Sequence, residues 1–314
     1  MSDSQKPVYG GQAVVEGVMF GGKYHYVTAI RRKDRSIDYF HMHRKENPSL
    51  SKLKKIPFLR GIIAIIEASA NGSKHLNFST DRYDVDPKDD EKLKNQESSK
   101  LVMYFGVATV GVISFLFGKF ALTLIPIFLA ELTRPIFSSD IAQVLMEGFF
   151  KLLLLLCYIY FVSMTPLIKR VFQYHGAEHK VINTFESGTD LTVENVQAHS
   201  RLHYRCGSSF ILFTVIVGVF VYMAVPTSPL WLRILDRLLL IPVVLGIAFE
   251  VLQFTNKLRN IPVLKYLGFP GLWLQLLTTK EPDDDQVEVA ICSFKELLRR
   301  EKESGHSFEE EEIV

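Results

Sequence analysis

The apolar residues of this chain are gathered into four long runs, and that clustering constrains its fold more than any other feature. Residues 101–118 are free of charge and the run continues past Lys119 to Leu132; residues 152–168 follow Lys151; residues 208–225 are uncharged; residues 238–249 extend past Glu250 to Phe254. A bilayer core about 30 Å thick is crossed by roughly 20 mostly apolar helical residues, so each run is about long enough to span it. The shorter runs 61–66 and 272–277 suit interfacial or re-entrant helices better. The expected fold is therefore mainly α: a polytopic helical membrane protein with about four transmembrane helices, a cytoplasmic β-hairpin near the N-terminus and interfacial helices. Its partners are expected to be the lipid bilayer and other membrane proteins. With 36 Lys and Arg against 34 Asp and Glu, charge does not point to nucleic acid.

Orientation follows from where the cations flank the runs. Arg82, Lys88, Lys92, Lys94 and Lys100 precede the first; Lys169, Arg170, Lys180, Arg201 and Arg205 lie between the second and third; Lys257, Arg259 and Lys265 follow the fourth. The two remaining connections hold Arg134, and Arg233 with Arg237. Thirteen against three puts both termini and the 169–207 loop on the cytoplasmic side of the cell membrane. The three cysteines, Cys157, Cys206 and Cys292, are widely scattered, which fits a reducing compartment rather than a disulfide framework.

The chain then divides into six parts. Residues 1–81 form an N-terminal cytoplasmic region with a Gly-rich motif, a hairpin (24–31 and 37–43 around Lys33-Asp34-Arg35-Ser36) and an interfacial helix; residues 82–100 are a charged linker. The first two spans occupy 101–168, a His/Cys-rich cytoplasmic loop 169–207, and the last two spans 208–254. Residues 255–314 are a cytoplasmic region in which Asp283, Asp284 and Asp285 precede Val287, Ile291, Phe294 and Leu298, the spacing of an amphipathic helix with acids at its positive end. The acidic run 309–312 reads as a solvated tail.

Chemistry concentrates in the 169–207 loop. Four of nine histidines, His175, His179, His199 and His203, fall within it. Tyr174-His175-Gly176-Ala177-Glu178-His179 contains H-x-x-E-H, which on a helix puts both imidazoles and the carboxylate on one face. Two such imidazoles hold a divalent ion, zinc foremost, and the carboxylate can ligate it or act as a general base. His203 and Cys206, at i,i+3 just before the third run, add an imidazole and a thiol that favours zinc. Topology puts His175, Cys206 and Glu250 at one depth, near the cytoplasmic mouth of the bundle, and a carboxylate inside a span is a functional candidate by default. The bland readings are exposed or helix-capping histidines, a buried structural cysteine, and a Glu250 paired with Lys257 or Arg259. Gly10-Gly11-Gln12-Ala13-Val14-Val15-Glu16-Gly17 lacks the phosphate-loop order, so nucleotide binding is not expected.

Several segments together resemble one family. VYGGQAVVEGVM (8–19), PFLRG (57–61), YHGAEHKVI (174–182), LTVENV (191–196), SRLHYRCGSSF (200–210), residues 240–250 and PGLWLQLLTTKEPDDDQVEVAI (270–291) are similar to the YqhQ family of bacterial multi-pass membrane proteins. The resemblance covers nearly the whole chain apart from the 82–100 linker and the acidic tail. It implies a predicted metal-dependent enzyme and points to Glu16, His175, Glu178, His179, His203, Arg205, Cys206, Glu250 and the segment 281–284. His199 lies outside the pattern, Phe20 stands where a Met is expected and Tyr204 where a Pro is expected.

Three functions compete. The first is a membrane-embedded metal-dependent hydrolase: His175, His179 and His203 or Cys206 as ligands, Glu178 as general base, Arg205 steadying negative charge, with Glu16 and Glu250 as further candidates. The second is a scaffold or membrane-protein biogenesis or turnover factor with a structural metal; the third is a transporter, which the absence of repeat symmetry disfavours. An open ligand position favours the enzyme and a closed one the scaffold.

Overall fold

The computed structural model describes residues 9–44, 53–89, 118, 121–259 and 261–311. It is mainly helical, with an N-terminal antiparallel sheet of four strands in the order β1 (Gly10–Val14), β2 (Gly17–Gly21), β3 (His25–Arg31), β4 (Ile37–His43). The hairpin read from the sequence is β3–β4, paired from Arg31↔Ile37 to His25↔His43. The Gly-rich segment ahead of it adds a second hairpin, closed by Val15 and Glu16 between Val14↔Gly17, with Glu16 at φ 53°. Glycine is a poor strand former, so composition hid β1 and β2; pairing against the β-branched β3 selects the extended state instead.

Alternation assigns each face of the sheet a partner. Val18, Phe20, Val27 and Ala29 face a core shared with Tyr174, Ala177 and Val181 of one helix and Val287, Ile291, Phe294 and Leu297 of another. These lie on α4 (Pro166–Glu186) and α10 (Asp284–Glu311). The helix expected after Asp283 is thus α10; it runs on through most of the acidic stretch read as a tail. On the opposite face Thr28 bonds His75, and Phe40 stacks on Phe78, both from α1 (Leu59–Arg82), which takes in the apolar run 61–66.

The remaining helices are α2 (Ala121–Leu132), α3 (Asp140–Ser163), α5 (Val193–Ala198), α6 (Ser208–Tyr222), α7 (Leu230–Leu239), α8 (Ile241–Lys257) and α9 (Phe269–Thr278). Ser139 caps α3 by accepting from Ala142 N–H, and the chain breaks after Ser163 so that Pro166 can open α4. The second apolar run is therefore split: its last residues start the helix that carries His175. Among the described residues α3 is the one helix long and apolar enough to cross a bilayer, joined by a second candidate if α7 and α8, bent by 50° at Leu240, count as one span. The third run forms the 15-residue α6, about 22 Å long at 1.5 Å per residue and short of a hydrocarbon core. The first run lies largely outside the described residues, as does most of the 82–100 linker.

Arg233 and Arg237, assigned by sequence to the connection between the third and fourth runs, are fully buried on α7. Both reach Glu147 of α3, with Arg233 Nη2 at 3.0 Å and Arg237 Nε at 3.1 Å. An i,i+4 pair shares one face of a helix, and the partner carboxylate is buried on α3 ahead of the second apolar run, where its charge requires a cation.

Candidate functional site

α4 carries the H-x-x-E-H segment against the sheet. His175 and His179 stack edge to face, with ring centroids 4.5 Å apart, as i,i+4 neighbours do. The turn entering α6 brings Cys206 to them, so that one ligand atom each of His175, His179 and Cys206 lies within 4.8 Å of the others. His175 Nε2 stands 3.2 Å from Cys206 Sγ, close to the roughly 3.5 Å that separates tetrahedral nitrogen and sulfur ligands of zinc.

The surrounding carbonyls orient these rings. His175 Nδ1 is 2.8 Å from Thr278 O and His179 Nδ1 is 2.6 Å from Arg201 O. A carbonyl only accepts, so Nδ1 carries the proton in both rings and the lone pair stays on Nε2. Burial pushes His179 below the ordinary imidazole range, which keeps it neutral and able to ligate. Ser208 N–H and Oγ lie 3.4 and 3.0 Å from Cys206 Sγ, as donors suited to a thiolate.

Glu178 is buried and its carboxyl is raised by that burial, opposed by His175 and His203 and by a hydrogen bond from Gly11 N–H. β1 thus closes on α4 through Gly11, whose absent Cβ would lie 2.9 Å from Glu178 Cγ and 2.7 Å from Met19 O. Gly176 plays the same part on the other side, since a Cβ there would collide with the carbonyl oxygen of Lys280. The 279–281 segment is clamped by Lys280 N–H to Phe172 O at 2.8 Å and by Glu281, which pairs with Lys180 and Arg201 at 3.0 Å each.

His203 is buried and held by two bonds to Gln275, 2.9 Å at its N–H and 2.8 Å at its carbonyl. Burial lowers its imidazole to about 4, and Nε2 has no hydrogen-bond partner. Arg205 pairs with Glu186 and is lowered to about 10 by burial, with its Nε left without a hydrogen-bond partner. His175, Glu178, His179, His203, Arg205 and Cys206 all line one cleft of about 350 Å³, together with Tyr9 to Ala13.

Glu16 and Glu250 are engaged elsewhere. Glu16 takes both ends of the Arg170 guanidinium and the Tyr174 hydroxyl; Glu250 takes Arg60 and the Phe58 N–H. Neither Lys257 nor Arg259 is the ion-pair partner expected for Glu250; Arg60 brings α1 to it across the fold. His199 bonds Asn195 O and Ser187 Oγ, away from the triad.

Sequence reading did not single out Gly11, Gln275, Thr278 or Glu186, since each acts through a backbone group or a contact distant in sequence. The Glu147, Arg233 and Arg237 cluster did leave a signal: an acid four residues before Lys151, within a helix-long apolar stretch.

A family model described as protein of unknown function (DUF1385) matches residues 56–300. The chain is 73% identical over 297 residues, covering 94% of this chain and 93% of the relative, to "Uncharacterized protein YqhQ" of Bacillus subtilis (strain 168). No solved structure matches it. The segments that resemble YqhQ proteins thus belong to a match nearly as long as the chain, and this chain is a member of the YqhQ (DUF1385) family.

Proposed function

We propose that this protein is a multi-pass cell-membrane hydrolase with a divalent metal, zinc foremost, held by His175, His179 and Cys206 at the cytoplasmic membrane face. The observation that carries this reading is the convergence of two correctly oriented imidazoles and a thiol beside an open cleft that also holds Glu178. Three protein ligands with a free fourth position are the pattern of catalytic rather than structural zinc. When bound, the ion supplies a Lewis acid and an acidified water. Burial makes the Glu178 carboxylate more basic, and in its ionised form it accepts a proton and returns it to the leaving group. Arg205 offers an unpartnered Nε as a donor for developing negative charge.

Membrane insertion is supported by inverted polarity. Only 22% of the apolar window of α3 is buried within the protein, whereas a soluble core helix would be mostly covered. α7 hides Arg233 and Arg237 while Trp231 and Leu239 are 66% and 65% exposed, the reverse of a water-facing helix. This supports α3 and the α7–α8 pair as spans, while the reading of about four spans with both termini cytoplasmic rests on the four apolar runs and their flanking cations.

A structural metal site in a scaffold is the second reading, favoured by His203, whose ring centroid is 5.7 Å from that of His179 and which can close the sphere. The test is the metal content of the detergent-purified protein by mass spectrometry, beside His179→Ala and Cys206→Ser. About one zinc per chain, lost in both variants, is expected; a folded protein without metal overturns the site. Cobalt substitution then separates the two readings: a visible spectrum that shifts on adding azide marks an open position, and an unresponsive one a closed sphere.

A further inference from the structure

The sheet ends at β1, and the hydrogen-bond parity of its neighbours fixes which groups point outward. Arg31 N–H bonds Glu16 O and Gly22 N–H bonds His25 O, so even-numbered residues of β2 and its ends face β3. Odd-numbered Gly17, Met19 and Gly21 therefore face β1, where their register partners are Val14, Gln12 and Gly10. Gly11 and Ala13 are left with N–H and C=O directed away from the sheet. The Gly11 N–H confirms this by reaching Glu178, and Val15, next in the same parity, gives its N–H to Ser79 Oγ at 3.3 Å.

Between these two positions Ala13 and the Gly11 carbonyl form an outward edge, and among the described residues no strand pairs with it. Gly10 and Gly11 are exposed, and residues 9–13 line the same cleft as His175, His179 and Cys206. With the Gly11 and Val15 N–H groups taken by Glu178 and Ser79, the edge presents the Ala13 N–H and the carbonyls of Gly11 and Ala13, two residues or about 6.8 Å apart, which match the outward N–H groups of residues i and i+2 of an extended polypeptide.

We propose that the outer edge of β1 is a strand-addition site that seats an extended peptide in the cleft, so that polypeptide is the substrate class of the hydrolase proposed above. The inference rests on that reading for the bond broken, but not for the binding. In the reaction the peptide C–N bond breaks, the oxygen of a water bonds to the acyl carbon, and the water's protons pass to the new amine and, by ionisation of the new carboxyl, to solvent. Glu178, tied to the same strand through Gly11, stands beside the seated backbone.

The experiment uses the full-length zinc-loaded protein in detergent and a chymotryptic digest of a bacterial proteome, with captured and cleaved peptides identified by mass spectrometry. One captured peptide is resynthesised as a series bearing a single backbone N-methyl group at each successive residue. Strand addition predicts that affinity falls at least tenfold at two residues, i and i+2, whose N–H groups meet the Ala13 and Gly11 carbonyls, and is retained at the residue between them. Ala13→Pro removes one outward donor without touching the β1–β2 ladder and should weaken capture about tenfold with zinc content unchanged. N-methylation tolerated at every residue overturns the proposal, and so does failure to capture any peptide by a protein that still hydrolyses 4-nitrophenyl acetate in a zinc-dependent way. Alternating loss without cleavage supports the edge site and overturns the hydrolase reading alone.

Discussion

Replacing Gly11 with Ala tests whether β1 and α4 form one unit. A Cβ at this position would sit 2.7 Å from the carbonyl oxygen of Met19 and 2.9 Å from both Cγ and Cδ of Glu178. Ordinary carbon contacts are about 3.5 Å, so the Glu178 side chain must retreat by about half an ångström. Met19 O belongs to the neighbouring strand and cannot swing aside. Overpacking of this size costs about 1–3 kcal/mol, offset by up to about 1 kcal/mol because Ala orders more cheaply than Gly. The net cost is about 1–2 kcal/mol, or about 1.5–3 °C in Tm for a chain of 314 residues. Gly10→Ala is the matched control: nothing lies within 4 Å of its Cβ, and the substitution should be neutral or slightly stabilising. Thermal unfolding of both variants in the same detergent gives the comparison. The displaced carboxyl should also lower zinc-dependent hydrolysis in Gly11→Ala by about 10–100-fold, while Gly10→Ala leaves it unchanged. A Gly11→Ala protein as stable and active as Gly10→Ala would refute the contact between β1 and Glu178.

Three further outcomes are expected. His75 is fully buried against Thr28, and burial holds it at about 4, below its unfolded value near 6.5. A histidine lowered on folding stabilises fully above pH 6.5 and loses that contribution as pH falls toward 4, so wild type should lose about 2 kcal/mol more than His75→Gln between pH 7 and pH 5, read from Tm at each pH. Glu147→Gln leaves Arg237 buried without a carboxylate and Arg233 with Glu131 alone, at 3.3 Å, and should cost about 3–5 kcal/mol; a Tm unchanged in detergent and in nanodiscs would remove that cluster from the fold's support. Glu16→Gln and Glu250→Gln, each removing one arginine's partner, should retain zinc that His179→Ala loses, as measured by metal analysis of the three proteins side by side.

The residues of the cleft were legible because their chemistry is local. His175, Glu178 and His179 share a helical face whatever that helix packs against, and α10 follows from the spacing of Val287, Ile291 and Phe294 alone. For Cys206 the sequence offered only an expected common depth with His175. Its position 3.2 Å from His175 depends on the turn held by Gln275 and on the start of α6, interactions separated by tens of residues. β1 and β2 were illegible because their glycines carry no strand preference, and pairing with β3 decides their conformation.

Arg233 and Arg237 show the same division most plainly. Counted along the chain they are cations of a short connection; in the fold they are the buried partners of Glu147. Local pattern determined helix faces, the family and the set of candidate ligands, because periodicity and side-chain chemistry act over a few residues. Tertiary structure alone decided that Gly11 meets Glu178, that Glu16 and Glu250 serve arginines, and that a strand edge walls the cleft. Those contacts join segments up to 190 residues apart, and their energies exist only after the chain has closed on itself.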